Sequence, residues 1–483
     1  MAHTPTAASP LAPDWLSLPE DPNALAPSVW PRNAGRADDG QLLIAGVAAS
    51  ELAERFGTPV YVVDEDDVRS RALETREAFD RSFAAIGTTA TVYYAGKAFL
   101  STEIARWVTA AGLNIDVCSG GELAVALAAG VDPGRLGMHG NNKSLAEIDR
   151  CVSVGVGAIV LDSIAEIERV ADAASRHGRV QPVRLRVNSG VHAHTHDFLA
   201  TAHEDQKFGL SLETVDEAVA LIRGHESLRF LGLHCHIGSQ IFGSDGFAES
   251  AARILGAHAR LLAGGEIPEL NLGGGFGIAY TEADDPTPVA ELAERIAAIV
   301  ASECARLAIP VPVVAFEPGR MIVGPSTVTL YTIGTIKDVV VTVPGSGEPG
   351  PEQEPAQTAV RRYVSVDGGM SDNARPALYG ADYSVRLANR VSQAGPALVR
   401  LAGKHCESGD ILVYADYLPS DVAAGDLAAV PATGAYCWSL ASNYNYLGRP
   451  PVVAVRGGEA RVIVRGETEA DLLSRDAGIG GES

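Results

Sequence analysis

Lysine is scarce in this chain, and the scarcity limits which residue could do amine chemistry. Five of the 38 basic residues are lysine: Lys97, Lys143, Lys207, Lys337 and Lys404. A Schiff base needs an amine that can lose its proton, which arginine cannot supply. Lys97 ends the stretch Thr91-Val-Tyr-Tyr-Ala-Gly-Lys. Val92, Tyr93 and Tyr94 favour a pleated, buried strand, and Gly96 lets the chain turn after it. Desolvation at such a strand end would lower the amine's pKa and make it a nucleophile. A lysine snorkelling from a strand end fits the same residues. The other four are placed less well. Lys143 sits in Asn-Asn-Lys-Ser, where a helix starts; Lys207 lies in a polar loop; Lys337 and Lys404 lie near acidic residues.

Three further stretches carry reactive or anion-binding residue types. Leu272-Gly-Gly-Gly-Phe-Gly277 follows an apolar run, and its glycines let backbone N–H groups approach a phosphate. A plain tight turn fits too. The dinucleotide fingerprint does not, because its third glycine would fall at Ile278. Glu317-Pro-Gly-Arg320 puts a carboxylate where it could keep a ring nitrogen protonated, or else makes a turn between domains. His234-Cys-His-Ile-Gly-Ser-Gln240 offers a histidine that could stack on a ring. As a metal site it lacks a nearby third ligand. His192, His194 and His196 alternate in a polar loop, which reads as a solvated tract, so no metal site is expected.

These residues need a scaffold. Apolar runs at 91–96, 114–118, 135–139, 158–162, 183–188, 229–236, 269–273 and 313–317 alternate with helical stretches. Eight strand–helix units are the count of a (β/α)8 TIM-like barrel, whose active site sits at the strands' carboxyl ends. Those ends carry Lys97, Asp116, His139, Asp162, Asn188, His236, the glycines 273–275 and Glu317. Asp162 and Asn188 could instead cap the next helix. After Arg320 the pattern changes to strands without long helices, which predicts an antiparallel β-sandwich or barrel-like domain. The expected division is a mobile arm over 1–40 and a segment over 41–66 that joins the β domain. The barrel follows over 67–325 and the β domain over 326–483, interrupted by a mobile insertion over 344–357.

The net charge of −22 disfavours a nucleic-acid or anionic-membrane partner and suits an enzyme acting on a small molecule. Six scattered cysteines without a CxxC pair fit a reducing, cytoplasmic setting. No apolar run is long enough to span a bilayer, and the first basic residue is Arg32, unlike a charged leader.

An amine, a phosphate cradle, a carboxylate at a pyridine nitrogen and a stacking histidine together suit pyridoxal 5'-phosphate. The chain resembles the diaminopimelate decarboxylase family, in the barrel-containing, alanine-racemase-like class of pyridoxal-phosphate enzymes. The resemblance covers about residues 45–465. Its segments are YYAGKAF (93–99), DVCSGGEL (116–123), HGNNKS (139–144), AHTHDF to HEDQKFG (193–209) and HCHIGSQ (234–240). NLGGGFG (271–277), EPGR (317–320), DGGMSDNARPALY (367–379), CESGD (406–410) and GAYC to SNYN (434–445) complete them.

The resemblance implies a role for each matching position. Lys97 would hold the cofactor covalently and His236 would stack on its ring. Ser239, Gly275, Gly319 and Tyr436 would bind the phosphate, with Arg320 beside them, and Glu317 would pair with the ring nitrogen. Arg320, Arg375 and Tyr379 would grip the substrate's distal carboxylate, with Tyr436 nearby. Glu407 would face the distal ammonium. Cys406 would be the proton donor, reaching across a homodimer with shared active sites. Val187-Asn-Ser-Gly190 departs from the family's pattern, which has a proline before the glycine. The reaction implied is decarboxylation of meso-2,6-diaminopimelate at its D-centre to L-lysine. The alternatives are a decarboxylase of ornithine or arginine, an amino-acid racemase, or a cofactor-binding protein without turnover. A diamine-forming site needs no distal carboxylate clamp, which sets Arg375 and Tyr379 against the first.

Overall fold

The computed structural model describes residues 9–191, 207–343 and 357–479. The histidine trio 192, 194 and 196 and residues 344–356 of the insertion lie outside them. The chain divides into two compact units, one built from 68–278 and 286–322, the other from 1–67, 279–285 and 323–483.

In the first unit eight parallel strands close on themselves. They are β1 (Ala90–Ala95), β2 (Asn114–Val117), β3 (Leu136–Met138), β4 (Ala158–Leu161), β5 (Gln181–Asn188), β6 (Leu228–His234), β7 (Glu269–Asn271) and β8 (Val313–Phe316). Each pairs with the next, and β8 returns to β1 through Val314↔Ala90 and Phe316↔Val92. This is the expected barrel. Its strands read as near-continuous apolar runs because both their faces are covered.

Serine sets where the following helices begin. Ser101, Ser119 and Ser144 each accept the backbone N–H three residues on, which starts Thr102–Ala110, Gly120–Ala128 and Leu145–Val154. Glu147 completes a capping box with Ser144 and also accepts Gly120 N at 2.7 Å, tying two rim loops together. Asp162 and Asn188 do not cap helices. Asp162 accepts Gly209 N and Asn188 accepts Gly190 N, so both shape loops instead.

Inside the barrel, alternate strands contribute one polar layer. Arg184 of β5 is fully buried; its Nη2 donates to Tyr93 OH of β1 at 2.8 Å and its Nε to the Glu269 carboxylate of β7. Aromatic packing anchors the loops above. Phe316, just before Glu317, stacks on Phe79 at 4.1 Å, and Phe276 of the glycine loop stacks on Phe247 at 5.3 Å.

The second unit is built on a mixed sheet. Val60–Asp64 runs antiparallel to Thr327–Thr342 and parallel to Val452–Arg456. Thr358–Val366 runs antiparallel to Thr327–Thr342 and parallel to Pro396–Ala402. The parallel pairings join strands that no hairpin connects, so no turn signal announces their direction.

The N-terminal arm departs further from expectation. Over residues 9–40 it is packed, not free. Val29 and Trp30 are buried in a core with Leu42, Ile44, Val328 and Val455. Asn23 donates to Ser392 O at 2.9 Å and accepts Ser392 N at 3.0 Å. Side-chain-to-backbone bonds of this kind leave no periodicity to read.

Candidate active site

Lys97 sits in a 3-10 turn, Gly96–Ala98, directly after β1. The strand before it is buried, but Lys97 itself is exposed, contrary to the expected desolvation. The turn lifts the side chain off the apolar strand to the rim. Its ammonium acts on Asp116, Cys118, Glu122 and His236 around that rim.

The buried lysine is Lys143. Its Nζ donates to Gly140 O at 2.7 Å, to Val160 O at 2.6 Å and to the Glu166 carboxylate at 3.0 Å. All three protons are in use, and the amine holds two rim loops together. Removing one partner of a buried ion pair strands the other charge at a cost of about 3–5 kcal/mol. Lys143→Ala is therefore expected to lower the denaturant midpoint clearly, and an unchanged midpoint would show the pair to be dispensable.

The Glu317-Pro-Gly-Arg320 turn lies against the Lys97 turn. Ala95 N donates to Pro318 O at 3.0 Å, and a Cβ on Gly319 would come within 2.9 Å of Ala95 O. The glycine loop packs equally closely. A Cβ on Gly274 would collide with Glu317 O, and one on Gly275 with Gly238 O. Glycine is thus demanded by loop-on-loop packing, which gathers Gly275, Ser239 and Gly319 at one rim. Arg320 Nη2 donates to Ser239 Oγ at 2.7 Å. Gln240, next to Ser239, adopts a left-handed φ of 61°.

Glu317 is the centre of a buried polar cluster. Asn271 Nδ2 donates to its Oε1 at 2.7 Å, and His234 Nε2 lies 3.0 Å from the same oxygen. His139 Nε2 stands 3.5 Å from Glu317 and 3.1 Å from Asp116. The ligand atoms of His139, His234 and Glu317 lie within 4.8 Å of one another, so His234 does have third-ligand neighbours, contrary to the reading from sequence. β3, β6 and β8 converge there, which linear spacing cannot show. Within the trio His234 Nε2 is hydrogen-bonded to Glu317, whereas His139 Nε2 makes no hydrogen bond among the described residues.

The two carboxyls of this mouth are shifted in opposite directions. Burial pushes Asp116 well above the usual carboxylate range, and repulsion from Glu317 adds to it. Burial also pushes Glu317 upward, but His234, His139 and the hydrogen bond from His234 outweigh it and hold it well below. Burial lowers His139 to about 4. Burial and then the Lys97 ammonium pull His236 well down, so its ring is neutral at neutral pH. Both Asp116 oxygens, His139 Nε2 and His234 Nδ1 are buried without a hydrogen-bond partner. Such atoms point to a polar group that belongs in the mouth. An ionised carboxylate for a ring nitrogen, a neutral imidazole for a ring face, an exposed amine and a glycine-lined rim fit pyridoxal phosphate.

The remaining expected residues lie in the second unit. Arg375 opens the helix Arg375–Tyr379 and is 6 % exposed, whereas Tyr379, one helical turn on, is 68 % exposed. Cys406 and Glu407 are both exposed, on the loop between Pro396–Ala402 and Ile411–Pro419. Asp410 ties that loop down by accepting His405 N at 2.8 Å and Met370 N at 2.6 Å. Tyr436 holds a left-handed φ of 63°, which costs a non-glycine residue of order 1–3 kcal/mol. Asn271, His139 and His234 are the residues whose part in the site the sequence left unassigned. The available signal was an asparagine ending an apolar strand beside the strand of Glu317.

Residues 66–324 match the family model described as pyridoxal-dependent decarboxylase, pyridoxal binding domain. The chain is 52% identical over 459 residues to a diaminopimelate decarboxylase of Mycobacterium tuberculosis, covering 93% of this chain and 98% of that one. It is 43% identical over 441 residues to the Bacillus subtilis protein of the same name, covering 90% and 95%. Its structure is similar to that of a diaminopimelate decarboxylase from M. jannaschii in complex with L-lysine. The TM-score is 0.80 at 31% identity, over 92% of this chain and 97% of the other.

Proposed function

The chain belongs to the diaminopimelate decarboxylase family of pyridoxal-phosphate enzymes, and from this we infer its activity. It removes one carboxylate of meso-2,6-diaminopimelate as CO2, at the D-centre, and leaves L-lysine, the closing step of lysine biosynthesis. The observation that carries the reading is Glu317, an ionised carboxylate in a buried mouth whose rim also bears Lys97.

The bound cofactor supplies an electron sink for the pair left by CO2. In our reading Lys97 would hold it through its side-chain amine. Glu317, held by Asn271 and His234, keeps a proton on the ring nitrogen. His236 would lie against the ring face. Ser239, Gly275, Gly319 and Tyr436 hold the phosphate, with Arg320 beside Ser239. Arg320, Arg375 and Tyr379 orient the distal carboxylate, near Tyr436, and Glu407 faces the distal ammonium. Cys406 returns a proton to Cα. The exposure of Cys406 and Glu407 supports a two-fold homodimer in which each loop serves the partner's site.

The six cysteines are free thiols, which supports a cytoplasmic setting. No described helix is long and apolar enough to cross a membrane. The net charge of −22 supports a small-molecule substrate rather than a nucleic-acid or membrane partner.

A CO2-release panel tests the activity. Meso-diaminopimelate should release CO2 and form L-lysine in equal amounts, while the L,L isomer, ornithine, arginine and lysine release little. Faster turnover of ornithine would refute the assignment.

A further inference from the structure

Arg375 is held from two sides by residues that have no assigned part in the reaction. Its guanidinium carbon lies 4.4 Å from the ring centre of Tyr280. Its Nη1 donates to Tyr383 OH at 2.5 Å. The two tyrosine rings meet edge to face at 5.0 Å, and both side chains are buried. Tyr383 OH is itself placed by Cys437 Sγ at 3.6 Å, and Arg375 N is fixed by Asn373 Oδ1 at 3.3 Å. Tyr280 belongs to 279–285, the stretch that directly follows the glycine loop and is part of the second unit.

We propose that Tyr280 and Tyr383 are positioning residues that determine specificity for the distal carboxylate, by fixing the plane and direction of the Arg375 guanidinium. This rests on the reading that Arg375 binds that carboxylate. An arginine grips a carboxylate through two parallel N–H bonds, so a small rotation of its plane loses one of them. Stacking on Tyr280 sets the plane. The bond to Tyr383 OH fixes the rotation within it. A free arginine would keep its charge but lose this orientation, and would discriminate less between ligands with and without the carboxylate.

The product and a truncated analogue separate the effects. L-Lysine keeps the carboxylate that Arg375 would hold; cadaverine, 1,5-diaminopentane, keeps both amines and lacks it. The inhibition constants of both are measured on holoenzyme for wild type, Tyr383→Phe, Tyr280→Leu and Arg375→Ala. Tyr383→Phe removes one oxygen and should raise the L-lysine constant about tenfold or more, the value of one charge-assisted bond. KM for diaminopimelate should rise alongside, kcat should stay within about twofold, and cadaverine should be unaffected. Tyr280→Leu should act in the same direction. If Arg375→Ala weakens L-lysine binding and neither tyrosine variant does, the positioning role is wrong while the carboxylate reading stands. If L-lysine and cadaverine weaken equally in both tyrosine variants, the tyrosines are structural and the proposal is overturned. If Arg375→Ala leaves L-lysine binding unchanged, the carboxylate reading falls and takes this inference with it.

Discussion

Lys97→Ala is expected to abolish covalent attachment of the cofactor and to cut kcat by at least about a thousandfold, on the order of 4 kcal/mol of barrier. The rim leaves no substitute amine. Lys143 spends its protons on Gly140, Val160 and Glu166. Lys207 lies over the ring of Phe208, with Nζ 4.9 Å from the ring centre. Lys337 and Lys404 belong to the second unit. Borohydride reduction of the wild type followed by peptide mapping should place the label on Lys97, and the variant should lose the visible band of the attached cofactor. A label on Lys143 or Lys207 would refute the proposed centre.

Mixing two inactive variants is expected to restore activity. Lys97 and Cys406 belong to different units of one chain. If each Cys406 serves the partner's site, a dimer of one Lys97→Ala chain and one Cys406→Ala chain has one doubly defective site and one intact site. Random mixing makes half of the dimers mixed, so up to about a quarter of full activity should return. If each chain supplies its own cysteine, every site in a mixed dimer carries one defect and nothing returns. That result would end the shared-site reading. The variants are mixed after reversible dissociation, with the separate variants treated identically as controls.

Much of the scaffold was legible because the barrel writes itself locally. A strand covered on both faces must be apolar throughout, its end must turn, and the serines 101, 119 and 144 mark three of the helix starts. The arm was misread for the converse reason. Trp30 is buried by strands far along the chain, and Asn23 by the backbone of Ser392, and neither contact leaves a local period.

By itself the sequence determined which residue types stand at the strand ends: an amine after β1, glycines after β7, a carboxylate after β8. It also carried the family motifs, because a motif is a property of chain order. Only the tertiary structure decided what those groups are chemically. It consumed Lys143 in an ion pair and left Lys97 exposed. It shifted Glu317 and Asp116 in opposite directions, the first well below and the second well above the usual carboxylate range, although both are carboxyls buried in the same mouth. It seated Arg375 between Tyr280 and Tyr383. Charge state and orientation depend on burial and on partners that arrive from other strands, and neither is written in the residue or its neighbours in sequence.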